Sequence, residues 1–226
     1  MALPERLAIA TRNPGKVREI LGICGDWPVE WVTFEDASWP EVEETGSTYR
    51  ENALLKAHGV AEALGIPSIA DDSGIEADAL GGAPGMRSAR FAGEGATDEQ
   101  NLRLLLDRVA EAGPAAPRTA RYRCVAALAW PGGREEWAEG ASEGSLTFDL
   151  RGTGGFGYDP AFVPDGYDVT MAELSPEKKN AISHRGRAFR ALRRLVENGP
   201  TTVGYARGPV TDSDGDAGSP RRKDPS

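Results

Sequence analysis

Arg6-Leu-Ala-Ile-Ala10, running straight into Thr11-Arg-Asn-Pro-Gly-Lys16, decides the fold class. A short apolar run ended by a polar loop reads as a strand, and the residues beyond it change period. Val17, Ile20, Leu21 and Cys24 fall at i, i+3, i+4 and i+7, one face of a helix. Asn13 followed by Pro14 suits an N-cap and a first helical position. The opening unit is therefore strand, loop, helix.

Further along, Thr48-Tyr-Arg-Glu51 is a capping box that opens a second helix, with Ala53, Ala57, Val60, Ala61 and Leu64 as its apolar stripe. Gly65 stops it, and Ile66-Pro-Ser-Ile-Ala70 reads as a strand ending at Asp71-Asp72-Ser73-Gly74. A third helix starts at Thr97, with Gln100 three residues on, and carries Leu102, Leu105, Leu106 and Val109 to Gly113-Pro114. The middle third alternates. Ala120, Tyr122, Cys124, Ala126, Leu128 and Trp130 mark a long strand, and Pro131-Gly132-Gly133 turns it toward a second strand around Trp137. Ser183 caps a last helix with Ala188, Leu192, Leu195 and Val196, closed by Asn198-Gly199-Pro200. This order predicts an α/β fold: a mixed central sheet flanked by helices, in two lobes with a cleft between them. Residues 1–204 form one domain, and residues 205–226, rich in Gly, Pro, Asp, Ser and Arg, read as a disordered tail.

Charge and composition narrow the function. The 226 residues carry 26 Lys and Arg against 35 Asp and Glu, net −9, which argues against a nucleic-acid partner but leaves room for a local basic pocket. Cys24, Cys124, His58 and His184 form no C-x-x-C or H-x-x-x-H pair, so any metal must be held by oxygen, as Mg²⁺, Mn²⁺ or Ca²⁺ is. The sparse cysteines fit a reducing cytoplasm. The N-terminus has no basic region followed by an apolar core, and no run approaches about 18 apolar residues. A cytoplasmic chain with no membrane partner is expected.

Four clusters hold the chemistry. Thr11-Arg-Asn-Pro-Gly-Lys16 places N–H groups, a helix dipole and a lysine at one helix start, which suits an anion or is an ordinary capped helix. Asp71-Asp72-Ser73-Gly74 is either a cation ligand or water-activating base, or an Asp-rich turn. Glu43-Glu44-Thr45-Gly46 could add a second carboxylate, and Lys56, which shares a helix face with Asn52, could reach a phosphate. In Gly152-Thr-Gly-Gly-Phe-Gly-Tyr-Asp-Pro160, glycines let backbone approach a flat ligand while Phe156 and Tyr158 offer ring faces. His184 and Arg185, as cations in the first turn of a helix, oppose its dipole and so want an anionic or hydrogen-bonding partner. Phosphate donors, a carboxylate metal site and an aromatic, glycine-rich wall together describe a Mg²⁺-nucleotide site.

In order along residues 6–199, Ala10–Lys16, Glu43–Gly46, Glu51–Ala53, Asp71–Gly74, Gly81-Gly-Ala-Pro-Gly85, Gly154–Pro160 and Ser183–Arg185 resemble the motifs of the inosine triphosphate pyrophosphatases, also called XTP/dITP diphosphatases. The resemblance implies hydrolysis of ITP, dITP and XTP to the monophosphate and pyrophosphate. It also implies an elongated two-lobed α/β domain with the site in its cleft, dependence on Mg²⁺, and a homodimer. By position, Asp72 corresponds to the proton acceptor and a metal ligand, and Glu43 to a second ligand. Thr11, Arg12, Asn13, Pro14, Gly15, Lys16 and Ser73 correspond to triphosphate contacts, with Lys56 added. Phe156, Gly157, Tyr158, Asp159, Lys179, His184 and Arg185 correspond to base and substrate contacts. The competing readings are a pyrophosphatase for dTTP or UTP, a nucleotide sensor without turnover, and a phosphatase releasing orthophosphate.

Overall fold

In the computed structural model, which describes residues 3–198, β1 (Arg6–Ile9) runs into α1 (Pro14–Cys24) through the capped loop that the pattern predicts. Asn13 Oδ1 accepts the N–H groups of Gly15 and Lys16 at 2.8 and 3.2 Å, a cap worth about 1 kcal/mol. After β2 (Glu30–Val32), α2 (Tyr49–Leu64) begins at Thr48, whose hydroxyl accepts the Glu51 N–H at 3.1 Å. The box expected there is half made. The Glu51 carboxylate turns to Ser47, whose amide and hydroxyl offer it two donors, at 2.6 and 2.8 Å. Gly65, at φ 67°, ends the helix in the left-handed conformation that favours glycine.

The largest departure from the sequence pattern is at β3 (Ser68–Ala77). The strand does not stop at Ala70 but runs through Asp71-Asp72-Ser73-Gly74, antiparallel to β4 (Thr119–Ala129), with Asp72 opposite Val125 and Ser73 opposite Cys124. Gly74 is required by a neighbour, because a Cβ there would lie 2.1 Å from the Gly85 carbonyl oxygen. α3 (Asp98–Glu111) carries the reciprocal Thr97–Gln100 capping box. β4 and β5 (Glu135–Leu146) form the expected hairpin. β6 (Phe162–Pro164) and α4 (Pro176–Ile182) follow, and Ser183 then caps α5 (His184–Asn198) through the Gly186 N–H at 3.0 Å.

Among the described residues the sheet order is β2-β1-β3-β4-β5-β6. β1 is parallel to β2 and β3, and the remaining pairs are antiparallel, the mixed sheet expected. Strand parity then assigns the faces. α2 covers one, with Ala53, Ala57 and Val60 against Ala70, Val125 and Ala127. On the other, α1 and α5 pack over Ile9, Ile69, Cys124 and Leu128, while α3 packs with Ile75, Tyr122 and Phe162 in a separate cluster. Asp71 and Ser73 stand on that face between Ile69 and Ile75, so a polar strip divides the two apolar clusters. No helix among the described residues is long and apolar enough to cross a membrane. The expected tail at 205–226 lies outside the described residues.

Candidate active site

Adjacent carboxylates on one strand face opposite sides of the sheet, and the site is built on that parity. Asp71 lies on the α1–α5 side with its side chain fully buried. Its Oδ2 accepts from Arg185 Nη2 at 2.9 Å and Nε at 3.3 Å and from Ser73 Oγ at 3.0 Å, and lies 3.2 Å from Lys16 Nζ. Burial alone would raise this carboxyl, but the Arg185 guanidinium, then Lys16 and Lys56, outweigh it and hold Asp71 well below the usual carboxylate range. Asp72 lies on the α2 side. Its Oδ1 accepts from Lys56 Nζ at 3.0 Å, and the same ammonium donates to Glu44 Oε1 at 2.7 Å. Asp72 Oδ2 is buried with no hydrogen-bond partner among the described residues. Here burial wins and the carboxyl is pushed up despite Lys56 and Lys16. Asp71 is fixed as an anion, and Asp72 is the one suited to receive a proton.

The start of α5 seats the second group. A Cβ at Gly140 on β5 would lie 2.3 Å from the His184 carbonyl oxygen, so the glycine lets the helix begin against the strand. Arg185, 2 % exposed, donates to Glu19 through Nη1 and to Ser73 Oγ through Nη2 at 3.0 Å, beside its bonds to Asp71. Lys179 Nζ reaches Glu19 Oε1 and Asp159 Oδ2, each at 2.5 Å, and Asp159 Oδ2 also accepts the Phe156 N–H at 2.8 Å. Burial would discharge both cations, but the carboxylates around them keep each charged. His184 differs. Burial foremost, then Arg185 and Lys179, push its imidazole well below the ordinary histidine value. The pair expected to present two cations is thus one neutral imidazole and one guanidinium already countered by Asp71 and Glu19.

A cavity opens onto these groups, lined by Ser73, Tyr122, Phe156, Asp159, Lys179 and His184 among others. Asn13 joins it to a depression lined by Thr11, Arg12, Lys16, Glu44 and Lys56. A Cβ at Gly15 would come within 3.0 Å of the Phe156 ring, so the Thr11–Lys16 loop and the aromatic wall touch. The loop offers fewer backbone donors than its pattern implies, because Asn13 takes the Gly15 and Lys16 N–H groups. Thr11 Oγ1 accepts the Asn13 N–H at 3.2 Å, and Arg12 donates to the Trp39 carbonyl. Attraction for an anion therefore rests on the lysines. Asp72 and Glu44 supply hard oxygen donors for a divalent cation, and the orphaned Asp72 Oδ2 suits that use. Among the described residues no three Asp, Glu, His or Cys side chains gather as a metal-holding group.

Residues 7–195 match the family model described as the Ham1 family. The chain belongs to the Ham1 family. It is 52 % identical over 190 residues to a dITP/XTP pyrophosphatase of Streptomyces coelicolor, covering 83 % of this chain and 94 % of that protein. It is 50 % identical over 189 residues to one of Geobacter sulfurreducens, with the same coverage. Among solved structures, a HAM1 protein from Coxiella burnetii superposes with a TM-score of 0.76 at 37 % identity, covering 88 % of this chain and 100 % of that one. The Staphylococcus aureus Ham1 protein gives 0.73 at 40 % identity, covering 85 % and 98 %. The family resemblance drawn from the motifs and its fold are both borne out.

In this Ham1 chain Asn13, Lys16, Lys56, Ser73, Phe156, Asp159, Lys179, His184 and Arg185 gather around the cavity and the adjoining depression, Asp72 is tied to the depression through Lys56, and Thr11 and Arg12 precede α1 while Pro14 and Gly15 open it. Gly157 and Tyr158 line the cavity and anchor to two other residues of its lining: the Gly157 N–H donates to Asp98 at 2.9 Å, and the Tyr158 hydroxyl to the Ser88 carbonyl at 2.7 Å. Glu43 is exposed and its side chain makes no bond among the described residues, whereas its neighbour Glu44 meets Lys56. Sequence reasoning missed Glu19 and Tyr122. Glu19 sits at i+3 from Lys16 on α1, a spacing that puts both on one side of the helix and was the available signal.

Proposed function

We propose that this chain hydrolyses the deaminated purine nucleoside triphosphates dITP, ITP and XTP to the nucleoside monophosphate and pyrophosphate. The observation that carries the reading is Asp72: a buried carboxylate with one oxygen on Lys56 and the other without a partner among the described residues, next along β3 to Ser73, which lines a cavity with an aromatic wall and a neutral histidine. The names of the Streptomyces and Geobacter relatives support the same substrates.

The triphosphate lies along Lys16 and Lys56, and its purine enters the cavity beside Phe156. Mg²⁺ held by Asp72 and Glu44 would neutralise charge developing on the phosphoryl oxygens and the pyrophosphate leaving group. Asp72 orients a water for attack at the α-phosphorus and takes its proton, while the bond from that phosphorus to the bridging oxygen breaks and pyrophosphate leaves. Base choice rests on the purine 6-position. Four of the five N–H donors of Arg185 are engaged with Asp71, Glu19 and Ser73, so the neutral His184 imidazole, with neither nitrogen bonded among the described residues, is the less committed donor for a 6-carbonyl. Adenine carries an amino group there and would leave that donor unpaired. A homodimer, a cytoplasmic location and the absence of a nucleic-acid partner belong to the same proposal.

The test is an end-point assay with Mg²⁺ on dITP, ITP, XTP, dTTP, ATP and GTP, reading orthophosphate with and without added inorganic pyrophosphatase. Phosphate seen only with the added enzyme, and mainly from the first three, supports the reading. Direct orthophosphate release, preference for dTTP, or no turnover would overturn it in favour of a phosphatase, a pyrimidine pyrophosphatase or a sensor.

A further inference from the structure

His184 lies in the cavity without the hydrogen bond that usually fixes a functional imidazole. Its Nδ1 is buried with no partner, and neither ring nitrogen is hydrogen-bonded among the described residues. What holds the ring is a stack. Tyr122 lies flat against it, centroids 4.5 Å apart and planes 7° from parallel. Tyr122 is itself fixed on β4, 7 % exposed, with the Phe162 ring packed edge-on at 4.8 Å and 61°. Its hydroxyl donates to Asp159 Oδ1 at 3.3 Å, the carboxylate that also accepts from Lys179 and the Phe156 N–H. One side chain thus touches both the imidazole and the carboxylate of the cavity wall.

We infer that Tyr122 is a positioning residue for base recognition, its ring setting the plane of the His184 imidazole and its hydroxyl steadying Asp159. The inference rests on the reading above that the cavity takes a deaminated purine. The ring carries more of the effect than the hydroxyl, because 3.3 Å is long for an O–H···O bond, usually about 2.5–3.0 Å. A tilted imidazole would still let the triphosphate bind the lysines, but its N–H would no longer meet a 6-carbonyl. Loss of the ring therefore erodes choice among bases before it erodes phosphate chemistry.

The experiment compares the full chain with Tyr122→Phe and Tyr122→Leu. It measures kcat/KM on dITP and on dATP, and the NMR shifts of the His184 ring protons, which a stacked aromatic moves upfield. The Phe variant is expected to keep the upfield shifts and change the dITP-to-dATP ratio by less than about threefold, the effect of one weak hydrogen bond. The Leu variant is expected to lose the shifts and lower the ratio by about tenfold or more, mostly through dITP. A Leu variant that lowers both substrates by one factor, leaving the ratio unchanged, would overturn the assignment and make Tyr122 a packing residue. Wild-type His184 protons without the upfield shift would overturn it too, and that readout needs no turnover. A wild-type chain inactive on dITP refutes the substrate reading and this inference with it, whereas an active chain with an unchanged ratio refutes Tyr122 alone.

Discussion

Asp71→Asn and Asp72→Asn change neighbouring residues by the same atom, yet the structure assigns them opposite consequences. Asp71 Oδ2 gathers Arg185, Ser73 and Lys16 in a region where the Arg185 side chain is 2 % exposed. Removing the charge leaves a buried guanidinium with only one of its two carboxylate partners, which costs about 3–5 kcal/mol. At about 2–4 °C per kcal/mol for a chain of this size, the melting temperature should fall by about 6–20 °C. Asp72→Asn leaves Lys56 its bond to Glu44 at 2.7 Å and removes a carboxylate that burial already disfavours, so its stability should stay within about 1 kcal/mol. Turnover is another matter: losing a general base lowers kcat by about 10²–10⁴-fold. The pH dependence has opposite signs at the two positions. Asp71, shifted down, contributes stability that is present above the ordinary carboxylate value of 3.8 and lost as pH falls through its folded value. Asp72, shifted up, contributes stability present below 3.8 and lost as pH rises through its folded value, so at neutral pH its ionisation opposes folding. Thermal melts and kcat on dITP for the three proteins at pH 7 decide the matter. An Asp71→Asn protein that melts with wild type, or an Asp72→Asn protein that keeps a near-full rate, refutes the division of labour.

Other outcomes follow from single contacts. Lys56→Met strips the cation shared by Asp72 and Glu44, and should lower kcat/KM on dITP by about 10²-fold or more while leaving the melting temperature less affected than Asp71→Asn does, measured on one preparation. Chelation of divalent cations should stop dITP hydrolysis and added Mg²⁺ restore it; full activity in chelator would remove the metal from the proposal. Gly140→Val would drive a side chain into the backbone of His184 and Ala188, 2.3 and 2.5 Å from its Cβ, and should destabilise by about 1–3 kcal/mol or more in a denaturant titration. His184 should stay neutral down through pH 6.5, because burial holds its pKa well below that value; an NMR titration showing protonation near pH 6.5 would contradict its assigned role as a neutral donor.

Much of the architecture was legible because its signals are local. Asn13-Pro14, Thr97 with Gln100, and the alternation from Ala120 to Trp130 each specify a cap or a strand without help from distant residues. β2 and β6, three residues each, are too short to carry a period, and their existence depends on edges offered by β1 and β5. The strand that mattered most was cut short in the reading for a physical reason. Asp, Ser and Gly are poor strand formers, so Asp71-Asp72-Ser73-Gly74 looks like an end. Long-range partners override that preference: Arg185, 114 residues away, compensates Asp71, and Gly85 packs where Gly74 has no side chain.

The site was legible as an inventory but not as an arrangement, and strand parity explains the gap. Sequence left the Asp71-Asp72 pair open between a cation ligand or water-activating base and an Asp-rich turn; there is no turn, because β3 continues through both residues and sends them to opposite faces. The same parity puts Asp72 with Lys56 and Glu44 on the α2 side, and Asp71 with Arg185, Lys16 and Glu19's network on the α1–α5 side. A charge misread along the chain follows from the same geometry. His184 and Arg185 are both potential cations at a helix start, but the guanidinium finds two carboxylates while the imidazole finds only the face of Tyr122. A buried group with no counter-charge loses its proton, so the helix start carries one cation rather than two. Neutral, the imidazole offers one donor and one acceptor nitrogen instead of two donors, so under the proposal its choice between a carbonyl and an amino group depends on which nitrogen carries the proton.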